Sequence, residues 1–297
     1  MKGERVELPN LFIVGAPRAG TTSIYEYLRQ HPDVYMCPIK EPHYFARKDL
    51  FVEFNDGIAP PDVISDLKDY IALFRGVRDK KIRCEASSSY LYSKSATFEI
   101  FELVPDAKII ISLRDPIERA LSHFKLDIFA YGTIMGKSFC EAVKRRPLYL
   151  RLGLYYEHVK RYLETFPKQN VKIIIYDDLK KDTLSVMMDI CKFLGIDESY
   201  IFNIDLSKKY NASLLPKSLV INKIAVKARD YILKRILPIP FYREVKQLYF
   251  KIFMSKDSDH FDFVVSKCLD FLIDYFKEDV KKLSDLLQRD LSSWLIC

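Results

Sequence analysis

The stretch Gly15-Ala-Pro-Arg-Ala-Gly20-Thr21-Thr22, directly after the apolar run Leu11–Gly15, constrains this chain more than any other feature. A short apolar run ending in glycine reads as a buried strand. Ile24, Tyr25 and Leu28 recur at helical spacing over Thr21–Gln30, so the loop opens a helix, and His31–Pro32 stops it. The spacing of Gly15 and Gly20 matches a phosphate loop. Small residues let backbone N–H groups curl around an anion, and the helix N-terminus adds its positive end. Thr21 and Thr22 offer hydroxyl donors. A nucleoside triphosphatase needs Lys directly after the second glycine. This chain has Thr21 there and carries its cation earlier, at Arg18.

Lys108–Leu113 (KIIISL) is the strongest strand pattern, of the kind buried on both faces of a parallel sheet. Lys81–Glu85 and Val171–Tyr176 read as further strands. Asp62–Phe74, Pro116–Phe129, Tyr155–Phe166 and Thr183–Leu194 read as helices, the last closed by Gly195. Alternating strands and helices predict an α/β, P-loop-like three-layer fold: a central parallel β-sheet flanked by helices. The expectation is a single domain over 1–297, with a core about 8–200 and a basic helical C-terminal part about 218–297. Within the latter, Val220–Phe253 sets Lys223, Lys227, Arg229, Lys234 and Arg235 among apolar residues. It reads as surface helices, with a substrate lid or a membrane-surface contact as sharper alternatives. Phe261–Leu295 is a final helical region.

A hydrophobic content of 49% excludes a disordered chain. The net charge of +7 suits anionic partners, but the basic residues are spread along the chain, which disfavours nucleic acid. The six cysteines show no zinc spacing and no metal is expected; they read as reduced thiols. The N-terminus has no apolar signal-peptide core and no run approaches a membrane span, so the expected location is cytoplasmic.

A second anion element follows the KIIISL strand. Arg114 ends it and Ser122 lies in the next helix. Strand ends line the ligand crevice of open α/β sheets, and Arg gives a forked contact to phosphate. Taken alone the segment is weak, since Arg114 or Arg119 could pair with Asp115 or Glu118. With the first loop, it implies a ligand carrying two separated phosphate groups. 3′-Phosphoadenosine 5′-phosphosulfate (PAPS) fits.

IVGAPRAGTTSIYEYLRQHP resembles the 5′-phosphosulfate loop of the PAPS-dependent sulfotransferase family, and LRDPIERALSHF resembles its 3′-phosphate motif. IKEPHYF, CEASSSYL, GLYYEHVKRYLETFP, VKIIIYDDL, CKFLGI and DLSSWL are similar to other family segments. The flavour is nearer the bacterial and carbohydrate-modifying, heparan sulfotransferase-like branch. The resemblance implies transfer of a sulfuryl group from PAPS to the hydroxyl of a carbohydrate or other polar acceptor. The product is adenosine 3′,5′-bisphosphate, and no metal is required. It implies that Arg18, Ala19, Gly20, Thr21, Thr22 and Ser23 hold the phosphosulfate, and that Arg114 and Ser122 hold the 3′-phosphate. Arg18 is the leaving-group cation, and a guanidinium stays charged, so it donates no proton. Glu41, in a loop bracketed by Pro38 and Pro42, is the leading base, with Lys40 toward the transferred group or an anionic acceptor; a surface salt bridge between Lys40 and Glu41 is the plainer alternative. His43 is the rival base, since imidazole titrates near neutrality. Glu85, Ser87 and Tyr90 match a family segment that supports the active site. The alternatives are a P-loop nucleoside or sugar kinase, disfavoured by Thr21 and by the lack of a Mg²⁺-binding Asp after a strand, and a non-catalytic nucleotide-binding protein. Acceptor selectivity is expected in Ala46–Pro61, whose Arg47 and Lys48 read as solvated charge, and in Ala130–Arg151.

Overall fold

β1 (Leu11–Gly15) is buried at all five residues, as a strand covered on both faces must be. The computed structural model describes residues 7–49, 63–131, 138–206, 215–216, 254–255 and 268–296. Packing divides the chain into two compact units. The first holds Met1–Asp115, Leu154–Asn211 and Asp279–Ile296; the second holds Pro116–Gly153 and Ala212–Glu278.

In the first unit, β1 is followed by α1 (Thr21–Leu28), β2 (Val34–Met36), α2 (Leu67–Ala72), β3 (Ile82–Ala86), α3 (Lys94–Leu103) and β4 (Lys108–Leu113). The second unit then contributes α4 (Pro116–Tyr131), α5 (Phe139–Arg145) and α6 (Leu148–Arg151). The chain returns to the first unit with α7 (Tyr156–Thr165), β5 (Val171–Ile175), α8 (Tyr176–Lys181) and α9 (Thr183–Leu194). Two short strands of the second unit, β6 (Leu215–Pro216) and β7 (Met254–Ser255), pair antiparallel. α10 (Leu269–Leu287) begins in the second unit and ends in the first.

The five strands β2-β3-β1-β4-β5 form one parallel sheet with helices packed on it, the α/β class expected. β1 lies at its centre, in register with Cys84 of β3 and Lys108 of β4 through Leu11. The chain leaves β1 for the β2 edge, then crosses back over it to β4. The C-terminal end of β1 therefore lies at a topological switch point, where open α/β sheets hold their ligands.

The sequence boundaries hold for β1, β4 and α9, which ends at left-handed Gly195 with φ 71°. Three details differ. The helix expected over Asp62–Phe74 is shorter, because Asp66 accepts from the Lys68 N–H and so caps it just before Leu67. Tyr176, read as the last residue of a strand, opens α8 instead. β2, three residues long, is too short for its alternation to register.

The cysteine reading needs a correction. Cys37, Cys84 and Cys191 are buried free thiols as expected. Cys140 and Cys268 form a disulfide within the second unit, 128 residues apart in sequence, with Cα atoms 5.7 Å apart. Apolar flanks look the same around a core thiol and around a buried bridge, and folding alone brings the partners together. Among the described residues, no helix is long and apolar enough to cross a membrane. The basic 220–253 stretch lies outside the described residues, as do most of the loop at 208–218, residues 50–61 and residues 132–137.

Candidate active site

The phosphate loop hangs on the C-terminal end of β1. The Ala16 N–H donates to the Ser112 carbonyl oxygen of β4 (2.6 Å), and the Ser112 hydroxyl donates to the Ala19 carbonyl oxygen (2.5 Å). Gly20, with φ 85°, ends the loop and α1 begins at Thr21, aiming the helix's positive end into the turn. A methyl group at Gly20 would lie 2.7 Å from the Tyr176 ring, so glycine is required twice over, by φ and by space. Arg18 is half-buried and sits at φ 69°, in the left-handed region that costs an L-residue roughly 1–2 kcal/mol. Ala19 and Thr21 are buried; Thr22 and Ser23 lie half-buried in the first turn of α1.

Arg114 follows β4 and reaches this loop. Its Nη1 donates to the Arg18 carbonyl oxygen at 3.3 Å. Its guanidinium lies 4.9 Å from the centre of the Tyr176 ring, and its own carbonyl accepts from the Tyr155 hydroxyl at 3.0 Å. Tyr176 thus underlies both Gly20 and Arg114, a place the sequence reading missed. The available signal was an aromatic at the C-terminal end of a core strand, where ligand crevices form. Ser122 lies buried on α4, in the second unit.

Lys40, Glu41 and His43 lie together, Lys40 in a salt bridge with Glu41. Lys40 Nζ lies 2.9 Å from Glu41 Oε1, and His43 Nδ1 lies 3.8 Å from Glu41 Oε2. Glu41 and His43 have φ of 63° and 57°, so two left-handed non-glycine residues flank Pro42. Such strain persists only where the surroundings enforce it, and it gathers at functional sites. Here the enforcing partner is the segment after β3. The Glu41 N–H donates to the Ala86 carbonyl oxygen (2.9 Å) and the His43 N–H to the Ser87 hydroxyl (3.1 Å). Ser88 donates to the Glu41 carboxylate through its N–H (2.8 Å) and its hydroxyl (3.0 Å). The Ser89 hydroxyl lies 2.8 Å from His43 Nδ1.

Burial pushes the Glu41 acid up, but Lys40, His43 and the Ser88 N–H outweigh it and hold the carboxyl below its ordinary value. Glu41 is therefore ionised at neutral pH, and its side chain is 26% exposed. Burial, with Lys40 in opposition to Glu41, holds His43 below the ordinary imidazole value, so at neutral pH its ring is uncharged and can accept a proton. Behind them Glu85 is fully buried, accepting from the Ser87 hydroxyl (2.6 Å) and the Tyr70 hydroxyl (3.0 Å). Burial pushes this acid up to about 7 despite those hydrogen bonds, and Glu41 adds like charge. Tyr90, whose hydroxyl accepts the Phe45 N–H, completes the support expected of this segment.

Ser88 touches both the Glu41 carboxylate and the loop after β1. A methyl group at Gly15 would lie 3.0 Å from the Ser88 carbonyl oxygen and 2.7 Å from Leu91 Cβ. Ser88, which clamps Glu41, thus packs on the loop's first glycine. The cation pair Arg47 and Lys48 is taken up by Glu99, each at 2.8 Å. His31 secures the end of α1, accepting from the Asp33 N–H, as its place at the helix stop implied. His123 is half-buried with its ring edge-on to Tyr149.

Comparison with known proteins adds an independent line. Residues 8–220 match the sulfotransferase domain family. Mouse carbohydrate sulfotransferase 15 is 28% identical over 248 residues, covering 64% of this chain and 44% of that protein. Human heparan sulfate glucosamine 3-O-sulfotransferase 3B1 is 26% identical over 209 residues, covering 66% of this chain and 50% of that protein. The chain thus spans about half the length of the curated relatives it matches. A crystal structure of a sulfotransferase from Alicyclobacillus acidocaldarius superposes with a TM-score of 0.68 at 30% identity, covering 97% of this chain and 99% of that one.

Proposed function

The chain belongs to the sulfotransferase domain family, and from that premise we propose that it moves the sulfuryl group of PAPS to a hydroxyl of a carbohydrate or other polar acceptor. The observation that carries the reading is the junction at Ser88, where an ionised carboxylate is fixed beside a phosphate loop. The residues present fit PAPS: a tight turn whose Gly15 and Gly20 let it pack against Leu91 and Tyr176 and leave its backbone at the helix start, a cation in the loop at Arg18, and Arg114 beside it. PAPS supplies the sulfuryl group, and adenosine 3′,5′-bisphosphate is what remains of it.

Glu41 takes the acceptor's hydroxyl proton as the acceptor oxygen bonds to sulfur and the bond from sulfur to the phosphate oxygen breaks. Arg18 offsets the charge that develops on that phosphate oxygen, together with Thr21, Thr22, Ser23 and the backbone at Ala19 and Gly20. On the spacing of the motif alone, Arg114 and Ser122 take the 3′-phosphate. Lys40 neutralises Glu41 and lies toward the transferred group. His43 is the alternative base; the hydrogen-bonded, ionised state of Glu41 favours the carboxylate.

Thermal denaturation with adenosine 3′,5′-bisphosphate tests the nucleotide half of this reading. Without magnesium, a hundredfold excess over Kd stabilises the protein by about 2.7 kcal/mol, and Arg114→Ala loses the effect. Stabilisation by ATP with Mg²⁺, and none by adenosine 3′,5′-bisphosphate, would sink it.

A further inference from the structure

Three consecutive hydroxyls follow β3, and each is committed to a different group. Ser87 accepts the His43 N–H and donates to the buried Glu85. Ser88 gives both its N–H and its hydroxyl to Glu41. Ser89 faces His43 Nδ1. The run is itself bonded to the end of β1. The Ser87 N–H donates to the Ile13 carbonyl oxygen (3.1 Å) and the Leu91 N–H to the Val14 carbonyl oxygen (2.8 Å). Between these two anchors the Ser88 carbonyl lies against Gly15.

We propose that Ser88 is a positioning residue for sulfuryl transfer, holding the Glu41 carboxylate in register with the phosphate loop by donating to the one and packing on the other. The inference rests on Glu41 being the base. Its physical content is geometric. The Glu41 carboxylate stands on a left-handed residue outside any helix or strand, and its partners on its own loop are the Lys40 ammonium and the His43 imidazole. The two Ser88 donors fix both of its oxygens from a segment hydrogen-bonded to the central strand. The groups facing Glu41 are Lys40 and His43 on its own loop, and Ser88 and Glu85 from the β3 side. Removing the Ser88 hydroxyl withdraws a donor from the charged form, which raises the carboxyl's pKa. The backbone N–H remains, so the fold of the segment is kept.

The test compares wild type with Ser88→Ala, Ser88→Thr and Ser89→Ala, using PAPS and the acceptor that wild type labels in a panel of glycans, lipids and phenols. Affinity for adenosine 3′,5′-bisphosphate, measured by calorimetry, reports an intact fold and loop. Ser88→Ala is expected to keep that affinity and its KM for PAPS, to lose about tenfold in kcat, and to move the acidic limb of the kcat–pH profile to higher pH. Ser88→Thr, which keeps a hydroxyl, restores both; Ser89→Ala leaves the limb in place. An unchanged limb and kcat in Ser88→Ala overturns the inference, and so does a loss of nucleotide affinity that tracks the loss of rate. If wild type labels no acceptor, or Glu41→Gln is fully active, the proposed function itself fails, and this inference with it.

Discussion

Glu85 shows how much chemistry a single residue can hide. The family segment that it matches with Ser87 and Tyr90 implied a supporting role, and its carboxylate accepts from the Ser87 hydroxyl. What the sequence could not convey is that it is an acid buried among other acids. Tyr70, Tyr90, Cys37 and Cys84 surround it, and Glu41 faces it from the loop between Pro38 and Pro42. Its folded-state acid is raised above the ordinary carboxylate value to about 7. The stability it contributes is therefore fully present below its unfolded pKa and is lost as pH rises through about 7. The melting temperature of wild type relative to Glu85→Gln should fall between pH 5 and about 7.5 and then level off. A difference that stays flat across that range would mean Glu85 ionises normally in the fold. The glycine turn at Gly20 was legible in the spacing of its motif; Tyr176, an aromatic at the end of a core strand, was passed over because its contacts with Gly20 and Arg114 join residues far apart in sequence.

At the scale of elements, the apolar runs behind β1 and β4 were legible because strands buried on both faces read as near-continuous apolar runs; β5, at the sheet edge, is buried only at Ile174 and Ile175 and was legible from its β-branched run. The helix caps were partly legible: Gly195 ends α9 where a left-handed closing residue is needed, while the Asp66 cap that shortens α2 was not seen. Long-range pairing was not legible at all. The disulfide joins Cys140 on α5 to Cys268, immediately before α10, and sequence separation says nothing about such a partner. Thiol titration in denaturant should accordingly rise by two on reduction, and a non-reducing peptide map should contain a Cys140–Cys268 cross-link. A titre that does not change on reduction contradicts the bridge. The same bridge replaces the expectation that every cysteine stays reduced.

For the whole molecule, sequence and fold agree on an α/β chain whose first unit carries a central parallel sheet. The excess of cations, +7 in all, suits a protein that holds a multiply anionic nucleotide. Acceptor identity was never legible, because the loops expected to set it lie partly outside the described residues. What the first unit does bring together are the two parts proposed as donor loop and base: Gly15 to Gly20 on one side, Glu41 on the other, with Ser88 against both. The most direct measurement of that claim is transfer of radiolabelled sulfate from PAPS to the acceptor panel by wild type, Glu41→Gln and His43→Ala. The account predicts that wild type labels a hydroxyl acceptor, and that Glu41→Gln binds adenosine 3′,5′-bisphosphate normally but transfers about 10²- to 10⁴-fold more slowly. Normal turnover by Glu41→Gln alongside an inactive His43→Ala would contradict it.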